Sequence, residues 1–234
     1  MNRTSLSDAL AAVETRLTAA CRRAGRARAD VTLIAVTKTV SGEVAALLPD
    51  LGVHDLGESR PQELWRKAAV VPSSVRWHLI GHLQRNKIER TLPLVECIHS
   101  VDSVRLLAAL EDACRQASRT LSVLLEVNAS REANKHGFTP EEVPGLTPTL
   151  AELKHVRVEG LMTMAAYEEE AERTRPTFAG LRTLRDRLAA ALGRPLPHLS
   201  MGMSNDFDIA VEEGATMVRL GSVLFEGLTG GSEG

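Results

Sequence analysis

The sequence has few aromatic residues and few cysteines, and it lacks long apolar runs. Aromatic residues make up 3% of its 234 residues, with Tyr167 as the single tyrosine, so base-stacking platforms for nucleic acid are not expected. No apolar run approaches the roughly 20 residues that span a bilayer. The net charge of −2 comes without a long basic run, which argues against nucleic acid or an anionic membrane as a partner. The three cysteines, Cys21, Cys97 and Cys114, are scattered and show no metal-ligand spacing, which indicates a reducing, cytoplasmic location.

Lysine is also scarce, because the chain has five lysines against 23 arginines. One of them, Lys38, follows an apolar and β-branched run over 31–37, which predicts a buried strand. A strand interior cannot cheaply bury an ammonium group, so we expect Lys38 at the strand end or in a chemical role. A desolvated lysine can attack a carbonyl and form a Schiff base, which an arginine cannot. The alternative interpretation is a lysine whose side chain simply reaches solvent.

Strand-like and helix-like segments alternate along the chain, after an amphipathic helix over 5–25. The predicted strands cover 31–37, 53–56, 75–80, 95–101, 121–127, 156–162, 198–201 and 217–220. The predicted helices cover 41–48, 61–70, 83–90, 103–117, a segment that opens with the capping box at 139–142, 176–192, 205–213 and a turn from 221.

This alternation implies parallel strands that are joined by right-handed crossovers. Eight units in this length predict an α/β fold, a single (β/α)8 TIM barrel over residues 1–234 with an extra N-terminal helix. A doubly wound open sheet is the alternative. It more often has five or six strands, and the sequence has no GxGxxG motif after the first strand.

The barrel prediction brings separate polar residues to one place, because ligand sites of this fold lie at the C-terminal ends of the strands. The residues concerned are Lys38, Ser59, Gly81, His82, Asn128, Met162, Thr163, the segment 200–204, Gly221 and Ser222. The loops after strands seven and eight often bind a phosphate, since glycines allow close backbone approach and hydroxyl groups donate hydrogen bonds. Ser204 or Asn205 is also expected to cap helix 205–213, and both roles can hold together.

Two further groups allow more than one interpretation. Arg219 lies in an otherwise apolar strand, so its guanidinium must either pair with a barrel carboxylate or face a ligand. His78 and His82 are four residues apart, which is a metal-ligand spacing on a helix. The segment 77–81 predicts a strand and a turn instead, which points the two rings apart. We therefore expect a hydrogen-bonded histidine at the mouth and no metal site.

Several motifs along nearly the whole chain carry a family resemblance. They are Ala35–Lys38, Trp77–Lys87, His99–Ser103, Asn134–Phe138, Gly160–Met164, Leu199–Ser204 and Val218–Ser222. Together they resemble the YggS/PROSC family of pyridoxal 5'-phosphate (PLP) homeostasis proteins. The resemblance implies a barrel of the alanine-racemase N-terminal-domain type that carries PLP.

By position, the resemblance implies a cofactor site made of Lys38, Ser200, Ser204, Arg219, Gly221 and Ser222. Lys38 would hold PLP as a Schiff base. The phosphate would contact Ser204, Gly221 and Ser222, with Ser200 nearby, and Arg219 would face the cofactor at its ring nitrogen or at its phosphate. One motif departs from the family, because Ser59 stands where the family usually has an asparagine, and serine has no amide for a cofactor contact.

The resemblance also implies a function, the intracellular buffering or delivery of PLP, with PLP-dependent apoenzymes as recipients. A racemase of this architecture needs a second base, which in the related racemases is a tyrosine from an added C-terminal domain of a partner subunit. We expect no room for such a domain after strand eight, and Tyr167 falls in a polar loop. We therefore expect a cytoplasmic monomer without catalytic or metal-binding residues. A small PLP-dependent amino-acid racemase and a cofactor-free Schiff-base aldolase stay open as alternatives.

Overall fold

A computed structural model of the chain describes residues 3–129, 136–166 and 170–226. Eight parallel strands form a closed barrel in chain order, and the last strand pairs with the first. The strands are β1 Thr32–Val36, β2 Asp55–Glu58, β3 Arg76–Leu79, β4 Val95–Val101, β5 Leu121–Glu126, β6 Val156–Met162, β7 His198–Ser200 and β8 Met217–Leu220. The predicted barrel is confirmed, and the open sheet is excluded because β8 closes onto β1.

Helices cover the outside of the barrel. They are α1 Arg3–Arg23, α2 Gly42–Ala45, α3 Pro61–Ala68, α4 Ile88–Thr91, α5 Val104–Gln116, α6 Thr147–Glu152, α7 Arg175–Leu192, α8 Phe207–Glu212 and α9 Ser222–Phe225. The extra helix α1 buries its apolar face, which includes Leu6, Leu10 and Leu17, and packs against α8 and α9. Within the described ranges, no helix is long and apolar enough to cross a bilayer.

Several predicted elements are shorter than the sequence pattern indicates. The predicted helix 41–48 is only the single turn α2, and the predicted helix 83–90 begins as a 3-10 turn and ends in the short α4. The capping box forms, since the Thr139 N–H donates to Glu142 Oε2 at 2.7 Å and the Glu142 N–H donates to Thr139 Oγ1 at 3.3 Å. It opens a turn that leads into the 3-10 helix Val143–Leu146 and then into α6, so the α-helix begins later than the capping box indicates.

Two apolar layers hold the barrel. A small inner cluster fills the cylinder with Ile34, Cys97, Leu124, Met162 and Met217. The larger layer packs the outer faces of the strands against the helices. The inner cluster leaves room for buried polar side chains toward the C-terminal mouth, and these side chains form the floor of the site.

Candidate functional site

A cavity of about 780 Å³ opens at the C-terminal mouth of the barrel. Loops after β1, β2, β3, β6, β7 and β8 form its wall, so residues from distant parts of the sequence meet there. Lys38, Ser59, Gly81, Ser204, Arg219, Gly221 and Ser222 all line it. Its size is within the range of about 300–1,000 Å³ that small-molecule sites usually have.

Lys38 lies in the turn after β1, two residues beyond the last strand residue, and its exposed side chain lines the cavity. The expected position at the strand end is thus the observed one. Among the described lysines, it is the one on the cavity wall. Lys135 and Asn134 of the resemblance motif, like Tyr167 and the tail 227–234, lie outside the described residues.

A buried ion pair fixes the backbone from which Lys38 projects. Lys67 of α3 and Glu58 of β2 are 4% and 0% exposed. Lys67 Nζ donates to Glu58 Oε1 at 2.5 Å and to the carbonyl oxygen of Thr37 at 2.6 Å. The Thr37 hydroxyl also donates to Glu58 Oε1, at 2.7 Å. The second carboxylate oxygen, Glu58 Oε2, is buried and finds no hydrogen-bond partner within the described part of the chain.

Ser204, Gly221 and Ser222 share the part of the cavity wall that the loops after β7 and β8 form. Ser204 Oγ accepts a hydrogen bond from the Val223 N–H at 3.2 Å, which ties the two loops together. The expectation that Ser204 or Asn205 caps the following helix was wrong. The cap residue of α8 is Asp206, whose Oδ1 accepts the Met203 N–H at 2.6 Å, and Ser204 lines the cavity instead.

Arg219 forms the floor of the cavity and is 3% exposed. Its Nη1 donates to Ser200 Oγ at 2.5 Å, and its Nη2 donates to the Thr163 carbonyl oxygen at 2.9 Å. These partners are neutral, and no described carboxylate pairs with the guanidinium, so the ion-pair interpretation is not realised. Burial lowers the pKa of Arg219 to about 10, which still leaves the group charged at neutral pH.

A hydrogen-bonded chain supports Arg219 from below. Ser200 Oγ lies 2.9 Å from His99 Nδ1, His99 Nε2 lies 2.9 Å from His78 Nδ1, and His78 Nε2 lies 3.0 Å from Asp55 Oδ1. With the ring proton on each Nε2, His78 donates to Asp55 Oδ1, His99 donates to His78 Nδ1, and the Ser200 hydroxyl donates to His99 Nδ1, so each contact of the chain has a donor and an acceptor. Burial lowers the pKa of His99 well below its usual value, and the nearby Arg219 guanidinium acts in the same direction. Ser200 thus lies beneath Arg219 as part of this chain, and it is not among the residues that line the cavity.

Sequence reasoning missed His99, Asp55 and the pair of Glu58 and Lys67. A signal for His99 was present, because it is a polar residue inside an apolar strand, the same argument that singled out Arg219. No comparable signal pointed to Lys67, which belongs to an amphipathic helix where lysine is ordinarily exposed. His78 lies in the barrel interior and His82 at the mouth, where its Nδ1 is 3.0 Å from Asp102 Oδ2. The expectation that the two rings point apart is thus confirmed.

Comparison with known proteins identifies relatives of this arrangement. Residues 9–228 match the family model described as alanine racemase, N-terminal domain. Over 217 residues the chain is 42% identical to a pyridoxal phosphate homeostasis protein of Aquifex aeolicus. The match covers 92% of this chain and 95% of the relative. The structure of PipY from Synechococcus elongatus PCC7942 with PLP bound matches with a TM-score of 0.82 at 31% identity, over 94% of this chain and 99% of that chain.

More distant structures share the fold. Alanine racemase from Clostridium difficile 630 matches with a TM-score of 0.75 at 18% identity. The match covers 95% of this chain and 56% of the racemase chain.

Proposed function

The chain belongs to the family of pyridoxal phosphate homeostasis proteins, and from this premise we propose that its mouth cavity binds PLP, with Lys38 as the covalent anchor. The observation that carries the proposal is the cavity floor, where Arg219 is buried, charged and held by neutral groups alone. Such a cation favours an anionic or electron-rich ligand. The amine of Lys38 lines the same cavity, and a lysine amine can bond to the aldehyde carbon of PLP.

The remaining wall residues fit the other end of the cofactor. We assign the phosphate to Ser204, Gly221 and Ser222, because two hydroxyl groups can donate to it and a glycine lets it approach the backbone. Gly221 lies two residues beyond Arg219 on the chain, so Arg219 is deeper in the barrel than these groups. We therefore assign Arg219 to the pyridine ring.

We further propose a carrier rather than an enzyme. When bound, PLP supplies an electron-withdrawing ring, and an arginine beside the ring nitrogen keeps that nitrogen unprotonated and weakens the effect. Racemisation would also need a second base. Besides Lys38 and Arg219, the titratable side chains on the described cavity wall are Asp206, which caps α8, and Glu226, which is exposed at the end of α9. These features support binding without turnover.

An absorption titration tests the assignment of Lys38. As PLP is added, wild-type protein that has been stripped of cofactor should develop an absorption band that is shifted from that of free PLP and marks the bond to lysine. The band should be absent in Lys38→Ala and normal in the matched control Lys154→Ala, which removes an exposed lysine outside the cavity wall. A normal band in Lys38→Ala would refute the assignment. Turnover of D- or L-alanine by the wild type that disappears in Lys38→Ala would favour the racemase alternative instead. A protein that develops no band at all would favour the cofactor-free aldolase.

The carrier proposal extends to assembly and partners. We propose that residues 1–234 form one domain, that the protein acts as a monomer in the cytoplasm, and that it hands PLP to PLP-dependent apoenzymes. Sedimentation of the loaded protein should give the mass of one chain. Mixing the loaded protein with a PLP-dependent apoenzyme should restore activity faster than the spontaneous release of PLP allows. Equal rates would contradict delivery by direct transfer.

A further inference from the structure

A second cluster of ligating side chains lies at the barrel mouth, on the side of β3, β4 and β5. His82 follows β3, Asp102 follows β4 and His136 follows β5. His82 Nδ1 is 3.0 Å from Asp102 Oδ2, and the rings of His82 and His136 stack with their centroids 5.1 Å apart. One ligand atom from each residue lies within 4.8 Å of the other two. The closure of the barrel brings these groups together from distant positions in the sequence.

A buried carboxyl group provides a second, independent observation at the same place. Glu126 ends β5, is 7% exposed, and makes neither a hydrogen bond nor an ion pair with its side chain in the described ranges. Its carboxyl group is close enough to Asp102, His82 and His136 to interact with them electrostatically, so a cation bound there would also stabilise a charge on Glu126.

We propose that His82, Asp102 and His136 form a binding site for a divalent transition-metal ion such as Zn²⁺, with the buried Glu126 carboxyl group nearby. Imidazole and carboxylate ligands are the set that Zn²⁺, Co²⁺ and Fe²⁺ accept, whereas Ca²⁺ and Mg²⁺ prefer oxygen ligands alone. The ligand atoms of the three side chains already lie within 4.8 Å of one another, so modest side-chain rotations suffice to bring them to one ion.

The site is distinct from the pair that the sequence spacing suggested. That pair was His78 with His82, and His78 instead lies inside the barrel with both ring nitrogens hydrogen-bonded. A buried group of His78, Cys97 and His99 also has close ligand atoms. It is a poor metal site because both imidazoles are committed to the chain below Arg219, and burial raises the pKa of the Cys97 thiol, which disfavours the thiolate.

The proposed ion would lie beside the PLP cavity without being part of it. Gly81, the residue before His82, lines the cavity, whereas His82, Asp102 and Glu126 do not. The metal proposal therefore does not rest on PLP binding. It can be tested on protein without PLP, where the visible absorption of the cofactor does not interfere.

The test uses PLP-free protein that has been dialysed against a chelator and then against metal-free buffer. Titration with Co²⁺ should give visible ligand-field bands that saturate at one ion per chain, and Zn²⁺ should abolish them. His82→Ala and His136→Ala should each weaken binding at least tenfold, since loss of a group that merely hydrogen-bonds to a metal ligand already costs about 10–100-fold. Both side chains are exposed, so both variants are expected to fold normally, with circular dichroism as the check.

His54→Ala is the matched control, because His54 is a histidine outside the cluster. It should bind Co²⁺ as the wild type does. Glu126→Gln removes the buried charge with little change of shape and should also weaken binding. Absence of Co²⁺ bands, or binding that His82→Ala and His136→Ala leave unchanged, would overturn the proposal.

Discussion

Replacement of Lys67 by methionine perturbs the buried ion pair that lies behind Lys38. Methionine keeps an unbranched apolar side chain, so the change removes mainly the ammonium group that contacts Glu58 Oε1 at 2.5 Å and the Thr37 carbonyl at 2.6 Å. Glu58 is 0% exposed, and its second oxygen already has no partner in the described structure. The carboxyl group must then bind a proton or remain as an uncompensated buried charge.

The expected loss is large, because removal of one partner from a buried ion pair costs about 3–5 kcal/mol. Since 1 kcal/mol changes the Tm of a protein of this size by about 2–4 °C, Lys67→Met should lower the Tm by about 6–20 °C. The double variant Glu58→Leu/Lys67→Met should recover much of this loss, because apolar replacement of both partners is often nearly neutral. Urea denaturation of the wild type, both single variants and the double variant measures the coupling.

Lys154→Met is the control for the loss of a lysine charge, because this side chain is exposed and its loss should change stability by less than about 0.5 kcal/mol. A Lys67→Met variant that loses less than about 1 kcal/mol would show that the pair is not the constraint described here. A double variant no more stable than Lys67→Met would refute the reasoning about the uncompensated carboxyl group.

Three further predictions concern the floor and the loops of the site. Ser200→Ala removes the hydrogen-bond acceptor of Arg219 Nη1. It should weaken PLP binding about 10–100-fold in an absorption titration, while Lys38 still forms its bond to PLP. Unchanged affinity would contradict the role of Ser200 in holding Arg219. Burial raises the pKa of Asp55, but hydrogen bonds from two basic side chains lower it to about 2. The Asp55 carboxylate thus stabilises the fold above about pH 4, and this stabilisation is lost as the pH falls toward 2. In urea denaturation across this range, the free energy of unfolding should fall less steeply with pH in Asp55→Asn than in the wild type. Equal pH slopes would count against this role. Gly202 has a φ of +92°, and a Cβ there would lie 2.5 Å from another side chain. Gly202→Ala should therefore lower the free energy of unfolding by at least about 1–3 kcal/mol in the same assay. An unchanged urea midpoint would speak against this strain.

The sequence alone was sufficient where one local pattern determines the structure. The strands at 95–101, 156–162 and 217–220 begin and end as predicted, because apolar residues make up more than half of each. The position of Lys38 could also be predicted, since a buried strand that meets an ammonium group must end there. The cost of a charge in an apolar strand also singled out Arg219, although its hydrogen-bond partners could not be predicted.

Features that depend on packing across the barrel could not be predicted in this way. The chain from Asp55 to Ser200 joins four strands. Strand register brings Asp55, His78 and His99 together, and the closure of the barrel brings Ser200 of β7 to His99 of β4. The cap of α8 is Asp206 rather than the predicted Ser204 or Asn205, because the loop after β7 turns at Gly202 before the helix begins. Lys67 is buried because α3 packs on β2, where its amine meets Glu58.

Borohydride reduction of the PLP-loaded protein, followed by peptide mass spectrometry, determines whether the amine of Lys38 holds the cofactor. Reduction makes the bond between the lysine nitrogen and the cofactor permanent, so the modified residue can be identified. We expect one adduct of the size of reduced PLP, on the peptide that contains Lys38, and none in Lys38→Ala. An adduct on Lys67, Lys87, Lys135 or Lys154 with Lys38 unmodified would contradict it.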